Sequence, residues 1–189
     1  MTTSLQSLTL PSFIFENAPA SILLPIVAGS AVGYSCRPKQ TQDTYATLRQ
    51  PPLRPPPWVF GPAWTVIYGA MGYGAYRAWS VGINSFDPDK IVLAKHGALI
   101  YTIQLGLNLI WMPLFFSYKK PILATVDIIT LTGTVGYLAS IWSKIDERAG
   151  WSLAPYLGWL AFANYLCIGC GYLNNWDFSD KPAAAKAKK

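Results

Sequence analysis

Few side chains in this sequence could do chemistry, and most of them sit among apolar residues. Cys167-Ile-Gly-Cys170 has CxxC spacing, which in a soluble protein serves thiol redox or metal binding. No second CxxC and no histidine stand near it, so the pair reads as two small apolar residues of a helix. Cys36 stands alone, and the sequence offers neither a disulfide framework nor a metal site. His96, the one histidine, could be an axial haem ligand or a structural ring at a helix mouth. Asp127 is a carboxylate inside an apolar run. A charge at bilayer depth costs roughly 2.5–3.5 kcal/mol on insertion scales. Asp127 should therefore face a bundle interior, as part of a ligand site or as an interhelical hydrogen bond with Asn108, Thr125 or Thr130. The most unusual stretch is Gln50-Pro-Pro-Leu-Arg-Pro-Pro-Pro-Trp-Val-Phe-Gly-Pro-Ala-Trp64, with six prolines. Such a stretch is stiff and extended. It could act as a lid at one end of a bundle, over Trp58, Phe60 and Trp64, or dock an SH3-type partner.

Composition says what must position these residues. The chain has 189 residues, 52% of them hydrophobic and only 13% charged, with a mean hydropathy of +0.26. Soluble domains carry about 25% charged residues. With 8 Trp, 11 Tyr and 8 Phe, the chain is not a disordered one either. Five apolar stretches, about 19–35, 58–79, 97–116, 121–142 and 151–173, each approach the roughly 20 residues that cross a ~30 Å hydrocarbon core. They do not alternate as barrel strands do. The expected fold is an all-α integral membrane bundle of five transmembrane helices over residues 19–176. Residues 1–18 form a loose or interfacial lead-in, and residues 177–189 a lysine-rich tail. No basic residue precedes the first stretch, so it does not read as a signal peptide.

The net charge of +6 would suggest nucleic acid only if it were spread over a surface. Instead, ten basic residues fall in the first loop, the third loop and the tail, and five on the opposite side. That asymmetry predicts a cytosolic C-terminus and no nucleic-acid partner. Trp58, Trp79, Trp142, Trp151 and Trp176 fall near stretch ends, where indoles anchor at membrane interfaces. Gly29 and Gly33, and the series Ala70, Gly74 and Ala78, supply the small-residue faces on which membrane helices pack, within one bundle or across a dimer seam. Pro62, Pro121 and Pro155 fit first turns, and Pro113 should end or kink its helix.

The Pro-rich block is also the start of a family resemblance. Pro51-Pro-Leu-Arg-Pro-Pro-Pro-Trp-Val-Phe-Gly-Pro-Ala-Trp-Thr-Val-Ile-Tyr-Gly-Ala-Met-Gly-Tyr73, Leu107-Asn-Leu-Ile-Trp-Met-Pro-Leu-Phe-Phe116, Ala124-Thr-Val-Asp127 and Pro155-Tyr-Leu-Gly-Trp-Leu-Ala-Phe162 occur in this order. Together they resemble the translocator protein family, the tryptophan-rich sensory proteins or peripheral benzodiazepine receptors. The resemblance implies a five-helix bundle, often a homodimer in the lipid bilayer. It implies a receptor or sensor for porphyrin or haem, with sterol and synthetic isoquinoline or benzodiazepine ligands as further classes, and no required cofactor. The implied ligand site comprises Ala28, Trp64, Tyr68, Asn108, Trp111, Trp142 and Trp159, with Asp127 added from its placement in an apolar run. The lid would be Pro51, Pro52, Leu53, Pro55, Pro56 and Pro57. The family usually has Trp where this chain has Leu53, and the sterol motif near the end of the last helix reads here Leu166-Cys-Ile-Gly-Cys-Gly-Tyr172, without a basic residue. The resemblance also implies residence in the outer mitochondrial membrane, with endoplasmic reticulum or secretory membranes as the alternative. Two other roles stay open: a transporter of sterol or porphyrin, and a light-dependent porphyrin-degrading enzyme whose chemistry would rest on indoles.

Overall fold

The computed structural model describes residues 8–36 and 47–178. The lysine tail from residue 179 on, Arg37 and Lys39 of the first loop, and the start of the lead-in lie outside the described residues. Among the described residues the chain is all helical, without strands. Helix α1 spans Ser12–Glu16, α2 Ala18–Ser35, α3 Phe60–Ile83, α4 Pro88–Met112, α5 Pro121–Ile145, α6 Glu147–Trp151 and α7 Ala154–Leu173. A 3-10 turn, Pro57–Val59, leads into α3, and α4 runs on into a π-helical turn, Pro113–Ser117. The five long helices correspond to the five apolar stretches. Four of them (α2, α4 with its π-turn, α5 and α7 with α6) are long and apolar enough to cross a membrane. The other, α3, has 24 residues, enough for a crossing by length, but glycines, tyrosines and tryptophans dilute its hydropathy. Val27, Val66, Ile122, Val126 and Ile129 point outward and are exposed, as lipid-facing residues must be.

Local signals explain the helix ends. Asn17 caps α2 by accepting a hydrogen bond from the Ala20 N–H at 3.1 Å, and Asp87 caps α4 through the Asp89 N–H at 2.9 Å. The cap at Asp87 and the first-turn Pro88 start α4 nine residues before the expected position 97. Its first turns carry Asp89, Lys90 and Lys95, which a search for uncharged runs excludes. At Pro113 the α-helical pattern gives way to the π-turn, and the helix continues to Ser117. Pro25 does not interrupt α2, which is continuous through it; in membrane helices neighbouring groups compensate for the missing donor.

Small residues set the helix spacing. A Cβ on Gly72 would strike the Ser21 carbonyl and lie 2.7 Å from Ile22 Cα, so α2 and α3 touch backbone to backbone. Ser21 Oγ donates to the Gly72 carbonyl at 2.8 Å across the same seam. Gly29 faces inward, whereas a Cβ on Gly33 would meet nothing within 4 Å among the described residues. Among the described residues, only the Gly29 half of that GxxxG pair packs inside the bundle. From residue 8 on, the lead-in is docked rather than loose. Phe15 is buried, stacked on Trp79 at 5.4 Å and edge-on to Tyr101 at 5.8 Å. The Leu10 N–H reaches Thr102 Oγ1 at 3.1 Å.

The end of the bundle where α3 finishes is closed by an ion pair. Arg77 donates from Nε to Asp146 Oδ1 at 2.9 Å and from Nη2 to Asp146 Oδ2 at 2.7 Å. Asp146 also caps α6, accepting from the Ala149 N–H at 3.0 Å. The Arg77 hydrogen bond, foremost, holds the Asp146 carboxyl below its ordinary value of 3.8. A carboxyl depressed in the folded state stabilises above its unfolded pKa, and loses that contribution as pH falls through the folded one. Asp146→Asn is therefore expected to lower the melting temperature at neutral pH. The gap to wild type should narrow as pH drops below about 4. A gap that stays constant in acid would assign the effect to capping and packing rather than charge.

Candidate functional site

The site is assembled from three helices whose residue spacing puts the relevant side chains on one face each. On α3, Trp64 and Tyr68 are four residues apart and stack, with ring centroids at 5.2 Å and planes at 28°. On α7, Tyr156 and Trp159 are three apart, again one face. Trp64 meets Tyr156 edge-to-face at 6.0 Å and Trp159 at 6.3 Å and 77°. Phe60, one turn before Trp64, is edge-on to Trp159 at 5.7 Å. Both indoles are half-buried, while Tyr68 and Tyr156 are 7% and 1% exposed. The tryptophans thus form a wall with accessible surface, and the tyrosines lie beneath it.

Asn108 of α4 ties that floor together. Tyr68 donates its hydroxyl proton to Asn108 Oδ1 at 2.7 Å, and Asn108 Nδ2 donates to Tyr156 Oη at 2.8 Å. One amide thus satisfies two buried phenols from two other helices, and the chain is fixed in direction from α3 through α4 to α7. Gly29 of α2 makes room for the arrangement, since a Cβ there would overlap the Tyr68 ring. Ala28, beside it, is half-buried. Deeper on the same face of α4, Gln104 is fully buried and places Nε2 3.8 Å from Met71 Sδ.

The remaining sequence candidates lie elsewhere. Trp142 is 1% exposed and stacks on Tyr101 at 5.9 Å. Its indole lies against Gly97 and Gly74, near the docked lead-in. It is therefore neither an interfacial anchor nor a ring neighbour of Trp64. Trp111 stacks on Phe115 of the π-turn at 5.1 Å and meets Phe116 edge-on at 6.0 Å. Asp127 is 8% exposed, and the expected partners are engaged otherwise. Asn108 serves the tyrosines, Thr125 donates to the Pro121 carbonyl at 2.8 Å, and Thr130 donates to the Val126 carbonyl at 2.9 Å. His96 is exposed on the outer face, edge-on to Tyr137 at 5.9 Å.

The Pro-rich loop is anchored on the far half of α7. Pro51 is buried and packs on Gly169. The Pro52 carbonyl accepts from Tyr165 Oη at 2.9 Å. Arg49 and Asn174 exchange two hydrogen bonds, at 3.0 Å and 2.8 Å. Leu53 takes a left-handed φ of 65° and is 85% exposed, as is most of Pro52, Pro56 and Pro57, with Pro55 half-buried. Held at Arg49, Pro51 and Pro52, the loop delivers its last residues directly to the start of α3, and so to Phe60 and Trp64.

Tyr156 is a site residue not expected from the sequence, Phe60 is expected there only beneath the Pro-rich lid, and Gly29 only on a helix-packing face. Spacing could have found the first two. Tyr156 is three residues before Trp159, and Phe60 is four before Trp64.

With this geometry in view, comparison with known proteins is direct. A family model described as TspO/MBR family matches residues 21–173. A translocator protein homolog of Schizosaccharomyces pombe is 40% identical over 162 residues, covering 85% of this chain and 94% of its own. The tryptophan-rich protein TspO of Archaeoglobus fulgidus is 38% identical over 155 residues, 82% of this chain and 95% of its own. The translocator protein of Homo sapiens is 38% identical over 122 residues, 65% of this chain and 69% of its own.

Proposed function

The chain belongs to the TspO/MBR family and is a multi-pass membrane protein, and on that premise we propose that it is a receptor for a flat tetrapyrrole, porphyrin or haem, bound against Trp64 and Trp159. One observation carries the reading. Two half-buried indoles from α3 and α7 stand nearly perpendicular over a fully buried Tyr68–Asn108–Tyr156 floor. A planar ring that stacks on one indole meets the edge of the other, and each such aromatic contact contributes about 0.5–1.5 kcal/mol beyond the area it buries. The hydrogen-bonded floor keeps both helices in register, so the wall is already formed when the ligand arrives. The loop at Pro51–Pro57, tethered to α7, limits how far α3 and α7 can part.

The same reading carries the loop-charge argument for a cytosolic C-terminus, and an outer mitochondrial or endoplasmic reticulum membrane as the home. Gly33, where an added Cβ would meet none of the described residues within 4 Å, supports a homodimer seam on α2. Sterol is the second ligand class for the same apolar site.

The test is titration of the purified protein with protoporphyrin while its tryptophan emission is followed. Saturable quenching at micromolar porphyrin is expected. The Trp64→Ala, Trp159→Ala double variant should lose the saturable component and keep its helical circular dichroism. Undiminished binding in that variant would refute the site.

A further inference from the structure

The Pro-rich loop meets α7 at two points, and both lie on one row of aromatic side chains. Trp159, Phe162 and Tyr165 follow one another at three-residue intervals. Phe162 is edge-on to Trp159 at 6.0 Å and stacked with Tyr165 at 6.2 Å and 26°. At the wall end of the row, Phe60 rests against Trp159. At the other end, Tyr165 holds the Pro52 carbonyl. The loop is therefore a strap whose ends straddle Phe162. Its far end is fastened by a catch that belongs to α7. Asn174 Oδ1 accepts from the Arg49 N–H, and Asn174 Nδ2 donates to the Arg49 carbonyl. One amide thus takes both backbone groups of Arg49. The same Nδ2 donates to the Cys170 carbonyl at 2.7 Å, so the amide is set by its own helix. Beyond it the chain turns back through Asn175 and Trp176, at φ 53° and 57°. The Trp176 N–H donates to the Gly171 carbonyl at 2.8 Å, and its ring lies where a Cβ on Gly171 would be. Phe178 is buried, edge-on to Phe115 at 5.3 Å. A left-handed tryptophan persists only where its surroundings hold it, so the catch is the rigid partner. The strained residue of the strap, Leu53 at φ 65°, stands exposed without such support. When the fastening yields, the strap is the part that moves.

We propose that Asn174 and Tyr165 are positioning residues that hold the strap shut, and that its release from α7 is the step by which the tetrapyrrole reaches and leaves Trp159 and Trp64. The inference rests on the aromatic-wall reading above, and adds to it the route and the residues that control it. Release breaks the bonds to Arg49 and Pro52 and frees the approach to Trp159 along Phe162, a further aromatic face for a flat ring. Asn174 acts through the loop and not on the ligand. The strap is shut in the free and in the bound protein. Weakening the catch therefore lowers the barrier to entry and to exit alike, and leaves the affinity nearly unchanged. The turn that follows α7 thereby sets how long the ligand stays.

The experiment follows stopped-flow quenching of tryptophan emission by protoporphyrin, on the full chain in lipid nanodiscs, and reads association and dissociation rates separately. Asn174→Ala removes two hydrogen bonds to the strap and should raise both rates about tenfold, and Tyr165→Phe, which removes one, about threefold. In both variants the dissociation constant should stay as in the wild type. The converse test locks the strap. A Cβ on Gly169 would lie 2.9 Å from Pro51 Cβ, a small shift from the roughly 3.5–4.5 Å of a disulfide. The pair Pro51→Cys and Gly169→Cys is placed in a chain carrying Cys36→Ala, Cys167→Ala and Cys170→Ala. Oxidised with tetrathionate, it should bind and release porphyrin about tenfold more slowly or less, and dithiothreitol should restore both rates. The same molecules are compared in the two states, so a folding defect of the variant cannot produce the difference. Rates indifferent to oxidation, or an Asn174→Ala variant in which entry and exit do not quicken together, would overturn the gate while the wall stands. Loss of saturable quenching in the unmodified chain would instead remove the wall, and the gate with it.

Discussion

Asn108→Ala is expected to destabilise the bundle by about 2 kcal/mol and to abolish saturable porphyrin binding. The residue bonds Tyr68 at 2.7 Å and Tyr156 at 2.8 Å, both within a dry interior. Removing it strands two phenols, and each stranded buried hydroxyl costs about 1–3 kcal/mol. Membrane bundles temper this figure, since measured interhelical couplings there average about 0.6 and reach about 1.7 kcal/mol. The lower part of the range therefore governs. Binding should suffer more than stability. Without the amide nothing fixes the rotation of α3 against α7, and Trp64 and Trp159 lose their mutual geometry. The measurement is thermal unfolding alongside porphyrin titration. A triple variant, Tyr68→Phe, Asn108→Leu and Tyr156→Phe, removes donors and acceptors together. It should recover most of the stability while leaving binding impaired. If Asn108→Ala binds porphyrin normally, the floor does not position the wall.

The second large effect is at Gly72. Gly72→Leu is expected to cost at least the 1–3 kcal/mol or so typical of overpacking, and to loosen α2 from α3. The clash is with backbone, the Ser21 carbonyl and Ile22 Cα, so no side chain can swing away to relieve it. The Ser21 bond to the Gly72 carbonyl would break as the helices part. Gly29 would then move off the Tyr68 ring, so this variant too should weaken porphyrin binding, though from a distance. Gly33→Ala is the control. Among the described residues a Cβ there would meet nothing within 4 Å, so the bundle's own melting temperature, measured on the monomer, should not fall. Unchanged stability in Gly72→Leu, by thermal unfolding or protease resistance, would show that the seam between α2 and α3 is softer than its geometry says.

Much of this protein could be read before any coordinates. Trp64 and Tyr68, four apart, had to share a face of α3, and Asn108 stood out as an amide in an apolar helix. Pro113 marked where α4 would end or change, and there it passes into the π-turn. What periodicity could not supply was the facing of one helix against the next. Asp127 illustrates this. Asn108, Thr125 and Thr130 were all within plausible reach, yet the amide turns to two tyrosines and both threonines bond back along their own helix. Trp142 illustrates it again, being placed among Tyr101, Gly97 and Gly74 rather than beside Trp64. The start of α4 was missed for a different reason. Charged residues in its first turns hide a helix from a search for apolar runs, although the Asp87 cap and Pro88 mark it.

The sequence by itself determined that the chain is helical, that it crosses a membrane several times, and which family it belongs to. Hydrocarbon offers the backbone no hydrogen-bond partners, so long apolar runs leave helices as the remaining choice, and the Pro- and Trp-rich blocks are specific in order and spacing. Only the tertiary structure decided which aromatics form one wall, where the Pro-rich loop is fastened, and that Asp127 Oδ2 is buried without a hydrogen bond among the described residues. Those outcomes depend on the rotation and offset of each helix against its neighbours. Close contacts at Gly29, Gly72 and Gly74 set them; small-residue spacing can mark such a face, but which distant residue it meets has no signature in the local pattern.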